Sequence, residues 1–347
     1  MKVLRRKLIL SIIASLVIVM CLTSTTFAWF AKNREAWIDD FELEIEEYDG
    51  LYISVDGIKY KQKITSAELK RAIIAKKENK DYNDESLTVE HVNDEYSKIK
   101  FFDVTTSDLE NFKEIDSTSQ TNGFYNLKDA SIYHYVNFDL YFMVEQYGNV
   151  SNEYELHFIT DEVAPKFQAN VPYMTSGEVN VKSVTSFDVL DVLNTGANIN
   201  YSYGNNIKFD PANALRLAVV NKDENLNNVF EPNLGTSSYA LDGGEGIYDP
   251  KANLALQYLN AYAKYDLAPL KKTDNDAYDY EQTIKDFNSD IALGTFSKNE
   301  NNEFNVVKLE FAVWIEGYDG DYIAGASLNP IKCYLSFYKK EKEGEVA

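Results

Sequence analysis

The sequence predicts a mainly β protein, an antiparallel β-sandwich of jelly-roll-like type with loop and short helical insertions. Three observations carry that expectation. The 347-residue chain is 45% hydrophobic and 14% aromatic, with 25 Tyr and 19 Phe, rings that suit half-buried pleated surfaces. Several short segments alternate apolar and polar residues at a period of two. Turn residues separate neighbouring segments, and few stretches keep a helical period.

The chain opens with Lys2, Arg5, Arg6 and Lys7, then an uncharged apolar run over 8–22 and a small, polar stretch over 23–28. That is the order of an export signal. Thr26 and Ala28 take the minus-three and minus-one places of a small-x-small site, so residues 1–28 are the expected signal and Trp29 the new N-terminus. The alternative is retention as an anchor. No charge interrupts 8–31, which is long enough to cross a bilayer, and the chain would then meet a membrane only through this segment. Met20 precedes Cys21 where lipid modification wants Gly, Ala or Ser, so Cys21 reads as part of the apolar run.

Residues 29–338 read as one elaborated sandwich domain, with 163–184 as the seam if the chain divides in two, and 339–347 as a charged tail. Residues 29–40 carry Trp29, Phe30, Trp37 and Ile38 among charges. They read either as an arm that completes a neighbour's sheet edge or as the chain's own first strand. Residues 41–46 (FELEIE) alternate strictly and predict a strand; 51–57 and 58–64 flank Asp56-Gly57, a hairpin signal. Thr65 and Glu68 have capping-box spacing, and Leu69, Ala72 and Ile73 follow as the apolar side of a helix. Residues 80–122 are rich in Asp, Glu, Asn, Ser and Thr and read as a surface excursion.

In 133–145 (YHYVNFDLYFMVE), Val136, Phe138, Leu140, Phe142 and Val144 share one face of a strand. Its expected partner is 153–160 (EYELHFIT), reached through Gly148-Asn149 and Ser151-Asn152. Strands follow at 214–221 (ALRLAVVN) and 225–232 (NLNNVFEP), a helix over the sheet edge at 250–266, and closing strands at 304–315 and 331–338.

Against 34 Lys and Arg stand 55 Asp and Glu, for a net charge of −21. Cleavage removes four positive charges and no negative one, which takes −21 to −25. Nucleic acid and anionic lipid surfaces are therefore set aside as partners. The mature chain keeps one thiol, Cys333, which cannot close an intramolecular disulfide. Its neighbours Ile331, Tyr334, Leu335 and Phe337 predict a buried, inert thiol.

No catalytic residues are assigned, and the expectation is a protein that is not an enzyme. There is no Gly-x-Ser-x-Gly elbow, and Gly243-Gly-Glu-Gly246 lacks the Lys-Ser/Thr ending of a phosphate loop. The histidines are His91, His134 and His157; Glu90-His91 lacks the second histidine four residues on, and the other two fall in predicted strands. Calcium is the one cofactor indicated, held by Glu316, Asp319 and Asp321 in the loop after a strong strand. Residues 221–225 also alternate oxygen donors, yet Leu226 replaces the Gly and Pro232 the Glu of an EF-hand loop. For both segments a solvated acidic turn is the alternative. Trp29, Trp37 and Trp314, with the tyrosines, offer a sugar-stacking face for a carbohydrate- or protein-binding module, or else pack inside the sheets.

Thr25-Thr-Phe-Ala-Trp-Phe-Ala31 resembles the cleavage region of exported Gram-positive proteins that depend on a specialised signal peptidase, the group containing camelysin and the biofilm-matrix fibre proteins. Asn137-Phe-Asp-Leu-Tyr-Phe142 is similar to a strand type of that group. The segment 312–321 (AVWIEGYDGD) is similar to a Trp-hydrophobic-Glu-Gly-x-Asp segment near the C-termini of exported proteins of the same bacteria. The resemblance implies a jelly-roll-like sandwich, secretion to the cell surface, and a structural role in which the chain self-associates into extracellular fibres or joins cell-surface and matrix components. Camelysin relatives are classed as metalloproteases; without His-Glu-x-x-His, that part of the resemblance has no support here.

Overall fold

The structure, a computed structural model, describes residues 38–45, 50–106, 108–121, 124–145, 153–160, 173–175, 179–182, 187–190, 198–201, 206–209, 214–231, 241–242, 247–248, 284–285, 287, 289–300, 303–316 and 331–342. The expected signal with Thr26 and Ala28, the residues Trp29 and Trp37, and the expected helix at 250–266 lie outside them. Among the described residues no helix is long and apolar enough to cross a membrane.

Along the chain run β1 (Ile38–Ile45), β2 (Leu51–Ser54), β3 (Lys63–Ile64), α1 (Ser66–Lys77), α2 (Val89–Tyr96), β4 (Asp103–Thr106), β5 (Phe112–Thr121), β6 (Phe124–Asp129), β7 (Val136–Val144) and β8 (Tyr154–Phe158). Then come β9 (Tyr173–Thr175), β10 (Val179–Lys182), β11 (Phe187–Leu190), β12 (Asn198–Tyr201), β13 (Asn206–Phe209), β14 (Leu215–Asn221), β15 (Leu226–Phe230), β16 (Leu241–Asp242), β17 (Ile247–Tyr248), β18 (Ile284–Lys285), β19 (Gly294–Phe296), β20 (Val307–Glu316) and β21 (Ile331–Glu341).

Two sheets carry the core. The nine-stranded sheet runs β18-β15-β14-β20-β4-β5-β6, with β7 also beside β20 and β2 beside β7. The six-stranded sheet runs β19-β8-β21-β1-β3, with β9 also on β21. The pairs β10–β13, β11–β12 and β16–β17 form small sheets of their own. Phe337 of β21 reaches across to Phe142 of β7 (ring centroids 4.9 Å) and Phe311 of β20 (6.1 Å), and Phe158 of β8 meets Phe230 of β15 at 5.1 Å. These rings interleave as the two layers of a β-sandwich, and each fully buried apolar side chain contributes about 1.5–3 kcal/mol. The sandwich with short helices is the fold the sequence predicts.

The pairing departs from the expectation in instructive ways. The strands β7 and β8, expected to pair, belong to different sheets. Both send alternate apolar residues into the main core, Leu156 and Phe158 from β8, and periodicity does not distinguish a neighbour in the sheet from a partner across it. Not all pairing is antiparallel: β1 runs parallel to β21, β4 to β20 and β18 to β15. The final strand continues to Glu341, so the expected charged tail begins inside a strand in which Lys339 pairs with Leu156 and Lys340 with Glu155.

The surface excursion expected at 80–122 instead holds α2, β4 and β5, and it buries Leu87, Val92, Ile99 and Phe101 in the main core. Arg71 of α1 organises its first part by donating to the carbonyls of Tyr82 (2.7 Å), Asp84 (3.0 Å) and Leu87. Local composition hides such a long-range clamp. The helix α1 itself starts as predicted: Thr65 Oγ1 accepts from the Glu68 N–H, and Glu68 Oε2 accepts from the Thr65 N–H at 3.0 Å. Its buried side, Leu69, Ala72, Ile73, Ile74 and Ala75, packs towards β7.

At Asp56-Gly57 the chain does reverse. Asp56 Oδ1 accepts from the N–H groups of Ile58 and Lys59, Gly57 takes φ +68, and the Ile53–Lys61 bridge closes the loop at 2.8 and 3.0 Å. Beyond it Lys63 and Ile64 pair with β1 rather than β2.

Gly294 opens β19 where side chains of β14 and β20, from the other sheet, crowd its backbone. A Cβ there would stand 2.6 Å from Val307 Cγ1 and 2.7 Å from Asn221 Nδ2. Gly294→Ala is expected to lower stability by about 1–3 kcal/mol, as overpacking does, and urea unfolding of the two proteins measures it. Equal midpoints would mean that the strand yields without cost.

Candidate functional site

The first described strand, β1, pairs in parallel with the last, β21. Parallel pairing sets Ile38 beside Ile331, Asp40 beside Lys332, Phe41 beside Cys333 and Ile45 beside Phe337, with an irregularity between Ile38 and Asp40. On its other side β1 has only the two residues of β3: Leu43 opposite Ile64 and Glu44 opposite Lys63. Leu43 is fully buried in the main core. The described part of the chain thus begins with a strand inserted beside the C-terminal strand, with a minimal strand covering its far edge. Of the two sequence readings for 29–40, Ile38, Asp39 and Asp40 already belong to this strand of the chain's own sheet; 29–37 lie outside the described residues.

Behind the nine-stranded sheet lies a second, smaller core of Val104, Phe112, Ala218, Val229, Ala312 and Trp314. Trp314 is fully buried and stands edge-on to Phe112 at 5.7 Å, which stacks on Tyr135 at 4.1 Å. This corrects the surface role considered for Trp314: inside the sheet it cannot stack on a sugar. The exposed large hydrophobic side chains among the described residues are Ile58, Val89, Leu127, Ile132 and Val306, none of them aromatic.

Glu316, expected in a carboxylate loop, is the last residue of β20, fully buried, and its Oε2 accepts the Trp314 indole N–H at 3.0 Å. Asp319 and Asp321 lie outside the described residues. Arg216, the cross-strand partner of Trp314, and Glu231 are also fully buried, with Nη1 and Oε2 3.4 Å apart. The sequence signal for this layer was the lone Arg216 inside the apolar run ALRLAVV, a charge that a buried strand tolerates only with a partner.

The turn at 221–225 closes the β14–β15 hairpin, with Asn225 at φ 54. Its Glu224 is committed to the opposite sheet: Oε1 accepts from the Thr295 N–H at 2.6 Å and Oε2 from the Thr295 hydroxyl at 3.0 Å. Beside it opens a polar cleft of about 450 Å³ with Glu153, Asp223, Asn305 and Lys342 at its walls.

Cys333 is a buried free thiol, and burial pushes its pKa well up, away from the reactive thiolate. His134 sits in the turn before β7, not in a strand as expected, with its Nδ1 on Glu114 Oε2 and its ring 4.1 Å from Phe102. His157 lies in β8, 3% exposed, across from Tyr338. Its Nε2 is 3.2 Å from Glu155 Oε2; its Nδ1 is 2.8 Å from Asp290 Oδ1 but off the line of a hydrogen bond.

Burial holds the His157 pKa below the usual histidine value, against the pull of Glu155 and Asp290, with Lys340 adding to the depression. The unfolded chain therefore binds this proton more readily than the folded one, and the stabilisation is present above about pH 6.5 and lost as pH falls from there. Urea unfolding from about pH 7.5 to 5.5 is expected to show stability falling with acid, and His157→Gln is expected to flatten that slope. A slope unchanged in His157→Gln contradicts the assignment.

Comparisons with protein families, with curated proteins and with solved structures returned no match to this chain.

Proposed function

We propose that the protein is an exported structural subunit of the cell surface or extracellular matrix that self-associates by exchanging its N-terminal strand. The carrying observation is the place of β1, the first described strand, held parallel against β21 and covered by the two-residue β3. Every contact that β1 makes within one molecule is available, unchanged, in the equivalent seat of a second molecule. Exchange then needs no new surface, which makes it a low-cost route to association. An arm passed to the next copy, whose own arm passes onward, gives an open chain of subunits.

Charge sets the conditions. A mature chain near −25, from −21 less the four cations of the signal, repels its own copies at neutral pH and low salt. Acid protonates carboxylates and salt screens them over about 10 Å at 0.1 M, so both favour assembly. The export signal at 1–28 supplies the route to the surface, and cleavage after Ala28 frees the arm that leads into β1. A binding module is the rival; its case rested on exposed rings, and Trp314 is not one.

A disulfide staple tests the exchange. Asp40 and Lys332 are register partners, about 4.8 Å apart as paired strands are, within the span of a disulfide. In the mature chain carrying Asp40→Cys and Lys332→Cys, oxidation of the monomer locks β1 at home, and this form is expected to stay monomeric in acid and salt by light scattering and electron microscopy. The reduced form is expected to assemble, and oxidation after assembly to give a covalent ladder on a non-reducing gel. Assembly of the stapled form, or monomer bands alone from the assembled one, removes β1 as the connector.

A further inference from the structure

We propose that Glu78, His91 and Glu95 form a binding site for a divalent first-row transition ion, with Zn2+ the ion that their donor set fits. Glu78 caps the C-terminal end of α1, while His91 and Glu95 stand one turn apart on α2, a spacing that puts both on one face of the helix. One donor atom from each lies within 4.8 Å of the other two, and His91 Nε2 is 2.8 Å from Glu78 Oε1. Among the described residues no other three His, Cys, Asp or Glu side chains converge in this way. A tetrahedral ion with bonds of about 2.1 Å spaces its ligand atoms roughly 3.4 Å apart, between the shortest and longest separations here. Small rotations of the three side chains close the site.

The surroundings are arranged as an outer shell. Tyr133 donates its hydroxyl to Glu95 Oε2 at 2.6 Å, and Lys80 donates to Glu78 Oε2 at 2.7 Å. Each holds one oxygen of a ligand carboxylate and fixes its plane, as outer partners of metal ligands do. That leaves Glu78 Oε1, Glu95 Oε1 and His91 Nε2 for the ion. Lys98, which donates to Glu95 Oε1 at 2.5 Å, has a side chain 54% exposed and swings out to solvent when the ion arrives.

One imidazole nitrogen with two carboxylate oxygens and a solvent-open fourth position suits Zn2+, whereas Ca2+ and Mg2+ want oxygen alone. The sequence hides the site because its third ligand comes from another helix, and because the residue four positions after His91 is Glu95 rather than a second histidine. Bound metal would pin the end of α1 to α2.

Isothermal titration of the mature full-length chain with Zn2+ tests the proposal, with Co2+ absorption reporting the geometry and circular dichroism confirming the fold of each variant. The expected result is one equivalent bound, insensitive to Ca2+ and unchanged in His134→Ala. His91→Ala and the shape-conserving Glu95→Gln are each expected to weaken it about tenfold or more, and Tyr133→Phe about tenfold through the outer shell. Absence of binding to the intact chain, or equal affinity in His91→Ala and Glu95→Gln, overturns the site. None of these readouts depends on assembly, so failure here leaves the strand-exchange reading standing.

Discussion

The ring of Phe337 is where the sandwich closes. It stands 4.9 Å from Phe142, 5.1 Å from Phe158 and 6.1 Å from Phe311, and so ties β21 to its neighbour β8 and, across the core, to β7 and β20. Aromatic pairs at such separations add about 0.5–1.5 kcal/mol each beyond the area they bury. With β21 fixed, the register of the six-stranded sheet follows: β8 and β9 take antiparallel places on it and β1 a parallel one. Because a shift of one residue would turn every side chain of β21 to the other face, the buried run Ile331, Cys333, Leu335 and Phe337 permits one register only.

A second constraint acts through the second half of β20, from Phe311 to Glu316, which is covered on both faces. Val307, Leu309, Phe311, Val313 and Ile315 look into the main core, while Ala312 and Trp314 belong to the smaller one behind the sheet. A strand buried on both sides cannot send its polar groups to water. Trp314 and Glu316 therefore satisfy each other, and Arg216 on the neighbouring strand answers Glu231. Breaking a buried pair of that kind typically costs about 3–5 kcal/mol, because it strands a charge. The acidic segment that ends β20 thus begins as architecture, at least through Glu316.

Much of this fold was legible in the sequence wherever the cause was local. The alternation at 136–144, the capping box at Thr65 and Glu68, the apolar runs at 214–221 and 331–338, and the burial of Cys333 all stand in the structure at the predicted places. What was hidden had a distant cause. The separation of β7 from β8 depends on which sheet each joins, and the parallel seat of β1 joins the two ends of the described chain. The helix α2 announces itself only by Thr88 and the single buried Val92. Glu78, His91 and Glu95 are far enough apart along the chain that neither helix alone suggests a ligand set. Calcium ligation by Asp319 and Asp321 concerns residues outside those described.

The account turns on β1 being separable from a body that stays folded without it. In its favour, β1 shares one long edge with β21 but only two residue pairs with β3; against it, Leu43 is buried in the main core and Ile45 pairs beside Phe337, so leaving has a cost. Hydrogen exchange of backbone amides in the monomer, at neutral pH and low salt, reads this directly, since local opening and global unfolding separate in their protection. The account predicts that amides of β20, and those of β21 on the edge bonded to β8 and β9, exchange only with global unfolding, while those of residues 38–45 exchange earlier through a local opening. Protection of β1 equal to that of β20 would contradict it, for then the strand leaves only when the whole sandwich does.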